Sequence, residues 1–169
     1  MDLIAPCLEY KDEFLNFLED IQQEGLLKHL DLSWMGEHFE AYLQSVEDEQ
    51  NPETVRPGRV PMTLFWMVDQ GQVVGSISFR HELNDFLKEF GGHIGYEVAR
   101  NHRGKGYGTL ALQKVLEHAR ARGYERVMLT CDDSNLASSR VMEKNGGVLD
   151  RVYTVDHHPV PIRRYWIEL

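Results

Sequence analysis

Arg103-Gly104-Lys105-Gly106-Tyr107-Gly108 is the most informative run of the chain. Its three glycines let the backbone turn tightly and aim several N–H groups at one point. Before it, His93 to Ala99 alternates as a strand does, with Ile94, Tyr96 and Val98 on one face and His93, Gly95 and Glu97 on the other. After it the period becomes helical from Thr109 to Arg122, with Leu112, Val115, Leu116 and Ala119 on one stripe and Gly123 as the stop. A strand, a glycine loop and a helix in that order hold bare amides at the positive end of a helix dipole, which makes an anion site. Arg103 and Lys105 add charge, and the lack of side chains at 104, 106 and 108 opens the backbone to a phosphate. A pyrophosphate suits such a loop. Two common phosphate motifs are excluded. A nucleotide P-loop needs Gly-x-x-x-x-Gly-Lys-Ser/Thr, which is absent, and a dinucleotide fingerprint needs Gly-x-Gly-x-x-Gly opening the first βαβ unit.

Outward from the loop, Val127 to Cys131 reads as a short apolar strand, Asn135 to Asn145 as a helix stopped by Gly146-Gly147, and Val148 to Val155 with Val160 to Leu169 as a closing hairpin around Asp156-His157-His158-Pro159. Toward the N-terminus, Thr63 to Val68 and Val73 to Arg80 form a hairpin about Asp69-Gln70-Gly71-Gln72, with Val73, Gly75, Ile77 and Phe79 on one face. Leu3 to Leu8 reads as a first strand. Phe14, Phe17, Leu18 and Ile21 mark one helix, Trp34 to Val46 a second, and Glu47 to Pro61 a long exposed loop. The expected fold is α/β: a mixed, mostly antiparallel sheet of about seven strands with helices on both faces and one parallel crossover from His93 to Cys131.

The 169 residues fit a single domain over 1–169, with 42% hydrophobic and 27% charged residues and no repeat. A net charge of −9 argues against nucleic acid, which demands clustered cations, and is compatible with a cationic amine. No run approaches a membrane span and the N-terminus lacks the order of a secretion signal, so a cytoplasmic protein off the membrane is expected. Cys7 and Cys131 imply free thiols, and Cys131 reads as a buried one. His157-His158 lacks a third ligand, so no metal is expected. Arg163-Arg164 reads as surface charge.

Arg103, Gly106 and Gly108 occupy the defined places of Arg/Gln-x-x-Gly-x-Gly/Ala, and Asn135-Leu136-Ala137-Ser138-Ser139-Arg140-Val141-Met142-Glu143-Lys144-Asn145-Gly146 resembles Asn-x-x-Ser-x-x-Val-x-Glu-Lys-x-Gly. Both patterns belong to the GNAT superfamily of acetyl-CoA-dependent N-acetyltransferases, which residues 62 to 169 resemble. The resemblance implies a sheet splayed between its fourth and fifth strands, with the pantetheine of acetyl-CoA in the gap. Glu97, Val98 and Ala99 would border it, Arg103, Gly104, Lys105, Gly106, Tyr107 and Gly108 would hold the pyrophosphate, and Asn135 and Ser138 would meet the pantetheine arm. A backbone N–H of the fourth strand would polarise the thioester while an amine of a small molecule, peptide or protein attacks directly.

Many relatives carry a Tyr acid in the Asn-helix and some a Glu base near the end of the fifth strand; Met142 and Thr130 stand there instead. Candidates for proton transfer therefore come from elsewhere: Glu97, His93 and Tyr165 foremost, with His81, Glu82 and Asp132 behind them. A non-catalytic acyl-CoA-binding or sensing module is the alternative. A homodimer through the last strands is a further expectation.

Overall fold

The alternating residues of 62–80 form an antiparallel hairpin of β2 (Met62–Asp69) and β3 (Gln72–Arg80), turned by Gln70 and Gly71 at φ 49° and 80°. This computed structural model describes residues 1–156 and 158–169. His157, in the middle of the expected final turn, lies outside the described residues. Around the hairpin, β1 (Asp2–Ile4) and β4 (Ile94–Val98) complete a sheet in the order β1-β2-β3-β4. A second sheet, in the order β5-β7-β6, holds β5 (Arg126–Asp132), β6 (Val148–Tyr153) and β7 (Ile162–Glu168). Both are antiparallel throughout.

Helices α1 (Lys11–Gln23), α2 (Leu32–Glu37) and α3 (Phe39–Asp48) cover one face of the first sheet. The stripe Phe14, Phe17, Leu18 and Ile21 is buried there, with Phe14 stacked on the sealed Trp66 at 4.3 Å. Burying each such side chain contributes about 1.5–3 kcal/mol. The other face packs on α5 (Tyr107–Ala121) and α6 (Leu136–Lys144), with Leu112, Val115 and Met142 in one cluster with Ile77, Phe79 and Leu129.

Four local expectations are corrected. The first strand stops at Ile4 and Leu8 enters a 3₁₀ turn, Leu8–Tyr10, because Pro6 brings no N–H to a ladder. The helix read over Trp34 to Val46 is two, broken at His38 (φ −119°, ψ 38°). A bulge at Val68 sends Val73 to the α1 side while Val74 joins the opposite core, so Val73 does not share a face with Ile77 and Phe79. A short helix, α4 (Asp85–Glu89), capped by the Asn84 carboxamide on Leu87 N–H, was not anticipated.

The crossover strands β4 and β5 share no ladder. Two residues before β4, Gly92 forms an isolated antiparallel bridge to Leu129 of β5, and beyond it the two strands open from each other. That is the expected splay. Among the described residues no helix is long and apolar enough to cross a membrane.

Candidate active site at the splay

The vertex of the splay is closed by three hydrogen bonds between the sheets. His93 N–H donates to Met128 O at 2.7 Å, Met128 N–H donates to His93 Nδ1 at 2.9 Å, and Gly91 N–H donates to Thr130 Oγ1 at 2.8 Å. A ring nitrogen that accepts from an amide must be unprotonated, so the His93 proton sits on Nε2. Burial pushes His93 down to about 4, against a smaller upward pull from the Met128 contact. The structure thus places His93 and Thr130 in the joint between the two arms. Arg80 grips the same corner, its Nη1 donating to Gly92 O at 3.0 Å and Gly91 O at 3.3 Å.

Above the joint, ladder parity decides which amides of β4 are free. Arg80 N–H donates to His93 O, and Ala99 N–H donates to Val74 O at 2.9 Å. The bonded positions on β4 are therefore the odd ones, and the N–H and C=O of Tyr96 and Val98 point away from β3 into the gap. Of the three residues expected to border the pantetheine, Val98 offers its backbone, while Glu97 and Ala99 turn theirs to β3.

The glycine loop stands at the open end. Gly104 and Gly106 adopt φ +75° and +87°, and Gly106 is the N-cap of α5. The N–H groups of Tyr107, Gly108 and Thr109 are the free ones of the first turn. No atom lies within 4 Å of where a Cβ would stand at 104 or 106, so the loop surface is bare backbone. Lys105 is exposed and, among the described residues, has no carboxylate within 4 Å. Arg103 is committed elsewhere: Nη1 and Nη2 hold both oxygens of Glu24 at 2.8 and 2.5 Å, and Nε donates to Val98 O at 2.9 Å. Tyr107 turns aside to donate to Asp69 Oδ2 at 2.7 Å, beside the Met1 ammonium on Oδ1 at 2.9 Å.

Across the gap, Asn135 caps α6 by accepting Ser138 N–H at 3.0 Å. The Tyr96 hydroxyl lies 2.7 Å from Ser138 Oγ and links β4 to α6. Burial pushes the Tyr96 phenol up to about 12, so it holds a hydrogen bond more readily than it releases a proton. Cys131 Sγ sits 3.5 Å from Ser139 Oγ, its thiol pushed up by burial. Tyr165 is fully buried and donates to Glu143 Oε1 at 3.0 Å, inside the core beneath α6. Met142 is 1% exposed in the same core.

On the opposite face of the two arms stand Glu97, from β4, and Thr130 and Asp132, from β5. Glu97 is exposed, yet protein around its carboxyl desolvates it and raises its pKa from 4.5; Arg103 opposes the shift and Glu24 adds to it. Asp132 Oδ1 meets His158 Nε2 at 2.8 Å, and the His158 ring packs edge-on to Phe90 at 5.0 Å. His81 is turned away to Thr63 Oγ1 at 2.9 Å, and Glu82 follows it on the surface. Among the described residues no group of three His, Cys, Asp or Glu could hold a metal ion. Sequence reasoning missed Tyr96, Arg80 and the Asp132–His158 pair. Alternation already placed Tyr96 beside Val98, but no local pattern joins Arg80 to Gly91 or Asp132 to His158.

The chain is similar to known proteins in sequence and in fold. The model of the acetyltransferase (GNAT) family matches residues 25–147. Among curated relatives, an uncharacterized N-acetyltransferase, YnaD of Bacillus subtilis (strain 168), is 38% identical over 65 residues, covering 36% of this chain and 38% of its own. The N-acetylaspartate synthetase of Xenopus tropicalis is 32% identical over 102 residues, covering 60% of this chain and 36% of its own. The chain thus spans 38% and 36% of the length of these relatives. Among solved structures, the microcin C7 self-immunity acetyltransferase MccE, in complex with acetyl-CoA and AMP, superposes with a TM-score of 0.71 at 17% identity, over 99% of this chain and 91% of its own. Mycobacterium smegmatis RimJ, in complex with a CoA-disulfide, gives 0.71 at 21% identity, over 98% and 80%. At such identities the likeness is one of fold; the family model spans most of the sequence, and the chain belongs to the acetyltransferase (GNAT) family.

Proposed function

We propose that the protein is an N-acetyltransferase that moves the acetyl group of acetyl-CoA to a primary amine, working as a single domain over residues 1–169. The observation that carries this reading is the backbone of Tyr96 and the N–H of Val98, which β3 leaves unpaired and turned to the gap, with the glycine loop 103–108 at its open end. Pantetheine amides would pair with that edge as an added strand does, and the pyrophosphate would meet the first amides of α5 and Lys105. Gly104, Gly106 and Gly108 serve by lacking side chains. Arg103, held by Glu24, shapes the loop and Val98 more than it meets phosphate. Asn135 and Ser138 border the pantetheine from α6, and Tyr107 anchors the helix start to Asp69.

In the reaction the amine nitrogen bonds to the carbonyl carbon, the carbon–sulfur bond breaks, one amine proton passes to a base, and the thiolate takes up a proton. Glu97 is the base. It faces the acceptor side, and its raised pKa makes it a better proton acceptor than an ordinary carboxylate. His93 and Tyr165 serve the architecture: one is engaged at the vertex, the other sealed in the core. Two separate thiols, Cys7 and Cys131, suit a cytoplasmic setting. The outer edge of β6, with Val148 68% and Val152 48% exposed, is where a second copy would pair.

The test is release of free CoA from acetyl-CoA with a broad amine panel, alongside calorimetric binding of acetyl-CoA. Turnover is expected, with an acid limb in kcat/KM above pH 4.5, since activity is lost as pH falls through the raised Glu97 pKa. Glu97→Gln should remove that limb and lower kcat by about a hundredfold while leaving acetyl-CoA affinity unchanged. Tight binding without any turnover would favour a non-catalytic acyl-CoA-binding module, which buried Met142 and engaged Thr130 would allow.

A further inference from the structure

Arg80 is a partly buried cation with no counterion: among the described residues no carboxylate lies within 4 Å of its guanidinium. Its Nη1 is used on the carbonyls of the 91–92 turn, and among the described residues Nη2 forms no hydrogen bond. Burial and the nearby charge of Arg59 both push its pKa below the usual arginine value. The side chain lines an open cleft of about 320 Å³, whose walls include Arg59, Met62, Asn84 and Phe86. Glu49, the acid of this cleft, is already engaged by Arg56, with Arg59 at 3.8 Å. In a chain of net charge −9, this is a concave site with cationic groups to spare.

The place of Arg80 matters as much as its charge. A methyl built on Gly95 would stand 3.3 Å from Nη2, so the guanidinium lies flat against β4 on the side away from α5. Gly95 and Glu97 share that side of the strand, one pleat repeat apart, or roughly 6.5 Å. A fixed cation and a carboxylate thus lie along the same side of β4, the guanidinium against Gly95 and the carboxylate on the next same-side residue, Glu97.

We propose that the cleft around Arg80 is the acceptor's anion subsite, where the guanidinium holds the carboxylate of a small amino acid while its amine reaches Glu97. The assignment rests on the acetyltransferase reading and narrows its acceptor to amines that carry an acid within a few bonds. The free guanidinium edge matches the two oxygens of a carboxylate, and a desolvated cation gains more from that pair than an exposed one does. Polyamines, which bring only positive charge, are disfavoured by the same group.

Steady-state CoA release with glycine, β-alanine and γ-aminobutyrate, each compared with its own amide, tests the subsite and measures its spacing. For the best-fitting length the acid should exceed its amide in kcat/KM by about tenfold or more. Arg80→Gln should bring that ratio near one with the Kd for acetyl-CoA unchanged, and Arg80→Lys, which keeps the charge but not the fork, should retain part of it. Equal use of acids and amides by the wild type, or an equal loss on both in Arg80→Gln, would overturn the proposal and leave Arg80 as a clasp of the 91–92 turn. Calorimetric titration of the same pairs into the CoA-saturated protein reads the subsite without turnover. Absence of acid-selective binding there overturns the subsite, whereas acid-selective binding without turnover upholds it and overturns the acetyltransferase reading instead.

Discussion

The two sides of the splay are built from different materials. On the side of α5 and α6 the site is mostly backbone: the amides of Tyr96 and Val98, the first turn of α5, and glycines that keep the approach clear. On the opposite side, proposed for the acceptor, stand side chains from distant segments: Arg80 at the end of β3, Glu97 on β4, Asp132 on β5 and His158 near the last turn. Backbone geometry restricts which residue types can stand at a position. A cluster of side chains restricts almost nothing locally, because any segment the fold brings near can supply the group. The first side should therefore tolerate little change in residue type at its glycines, and the second should respond to charge and hydrogen bonding rather than to shape.

The strongest test of that contrast is a glycine at the vertex set against one in the loop. Gly92 has φ +66°, and a Cβ there would run into the Met128 carbonyl, with Leu129 Cα at 3.0 Å. Both neighbours are backbone of the other sheet and cannot yield without opening the joint. Gly92→Val should cost about 4 kcal/mol or more in urea unfolding, enough to leave little folded protein. Gly106→Ala meets no atom within 4 Å, so only its φ of +87° is strained and the loss should be about 1–2 kcal/mol. Its larger effect should be on acetyl-CoA affinity, read by calorimetry. If the two variants were equally unstable, the loop would be structural and the contrast would fail.

How much of this was legible follows the same division. The order of strands from β2 to β7, the helices α5 and α6 between them and the α1 stripe were readable because periodicity reports burial directly. The glycine loop was readable because few residue types accept its φ values. The break at His38 and the bulge at Val68 were not, since each answers to packing of α1 to α3 on the sheet and leaves no local pattern. Arg103 shows a related limit. Its position in the motif suggested phosphate, while its side chain is claimed by Glu24, 79 residues away in sequence. For His93, likewise, an alternating strand reveals which face a histidine takes but not that an amide of β5 awaits its Nδ1.

His93 offers the next test, of side-chain chemistry within the joint. Its folded pKa of about 4 lies below the ordinary 6.5. The neutral form is therefore the one folded into the vertex, and its contribution is full above pH 6.5 and lost as pH falls through 4. The slope over that window corresponds to about 3 kcal/mol. His93→Phe should lower stability at pH 7 by about 2 kcal/mol, because Met128 N–H loses its acceptor in a buried site. His93→Asn, whose carboxamide oxygen can stand where Nδ1 stood, should recover most of that loss while flattening the stability profile between pH 4 and 6.5. Acetyl transfer should survive in His93→Asn. Loss of turnover there with stability intact would make His93 a catalytic residue and move the chemistry from the acceptor face to the vertex.

The smallest effect separates the two cations of the loop. Lys105 is exposed and unpaired among the described residues, so Lys105→Ala should weaken acetyl-CoA by about threefold to fivefold, an effect that fades as salt rises. Arg103 is neutralised by Glu24 and bound to Val98 O, so its charge is largely spent before any phosphate arrives. Arg103→Ala should therefore lower affinity with little dependence on salt, because what it removes is the support of Val98 rather than a charge at the pyrophosphate. A steep salt dependence for Arg103, and none for Lys105, would mean that the Glu24 pair opens when acetyl-CoA binds and that the loop reads charge as well as backbone.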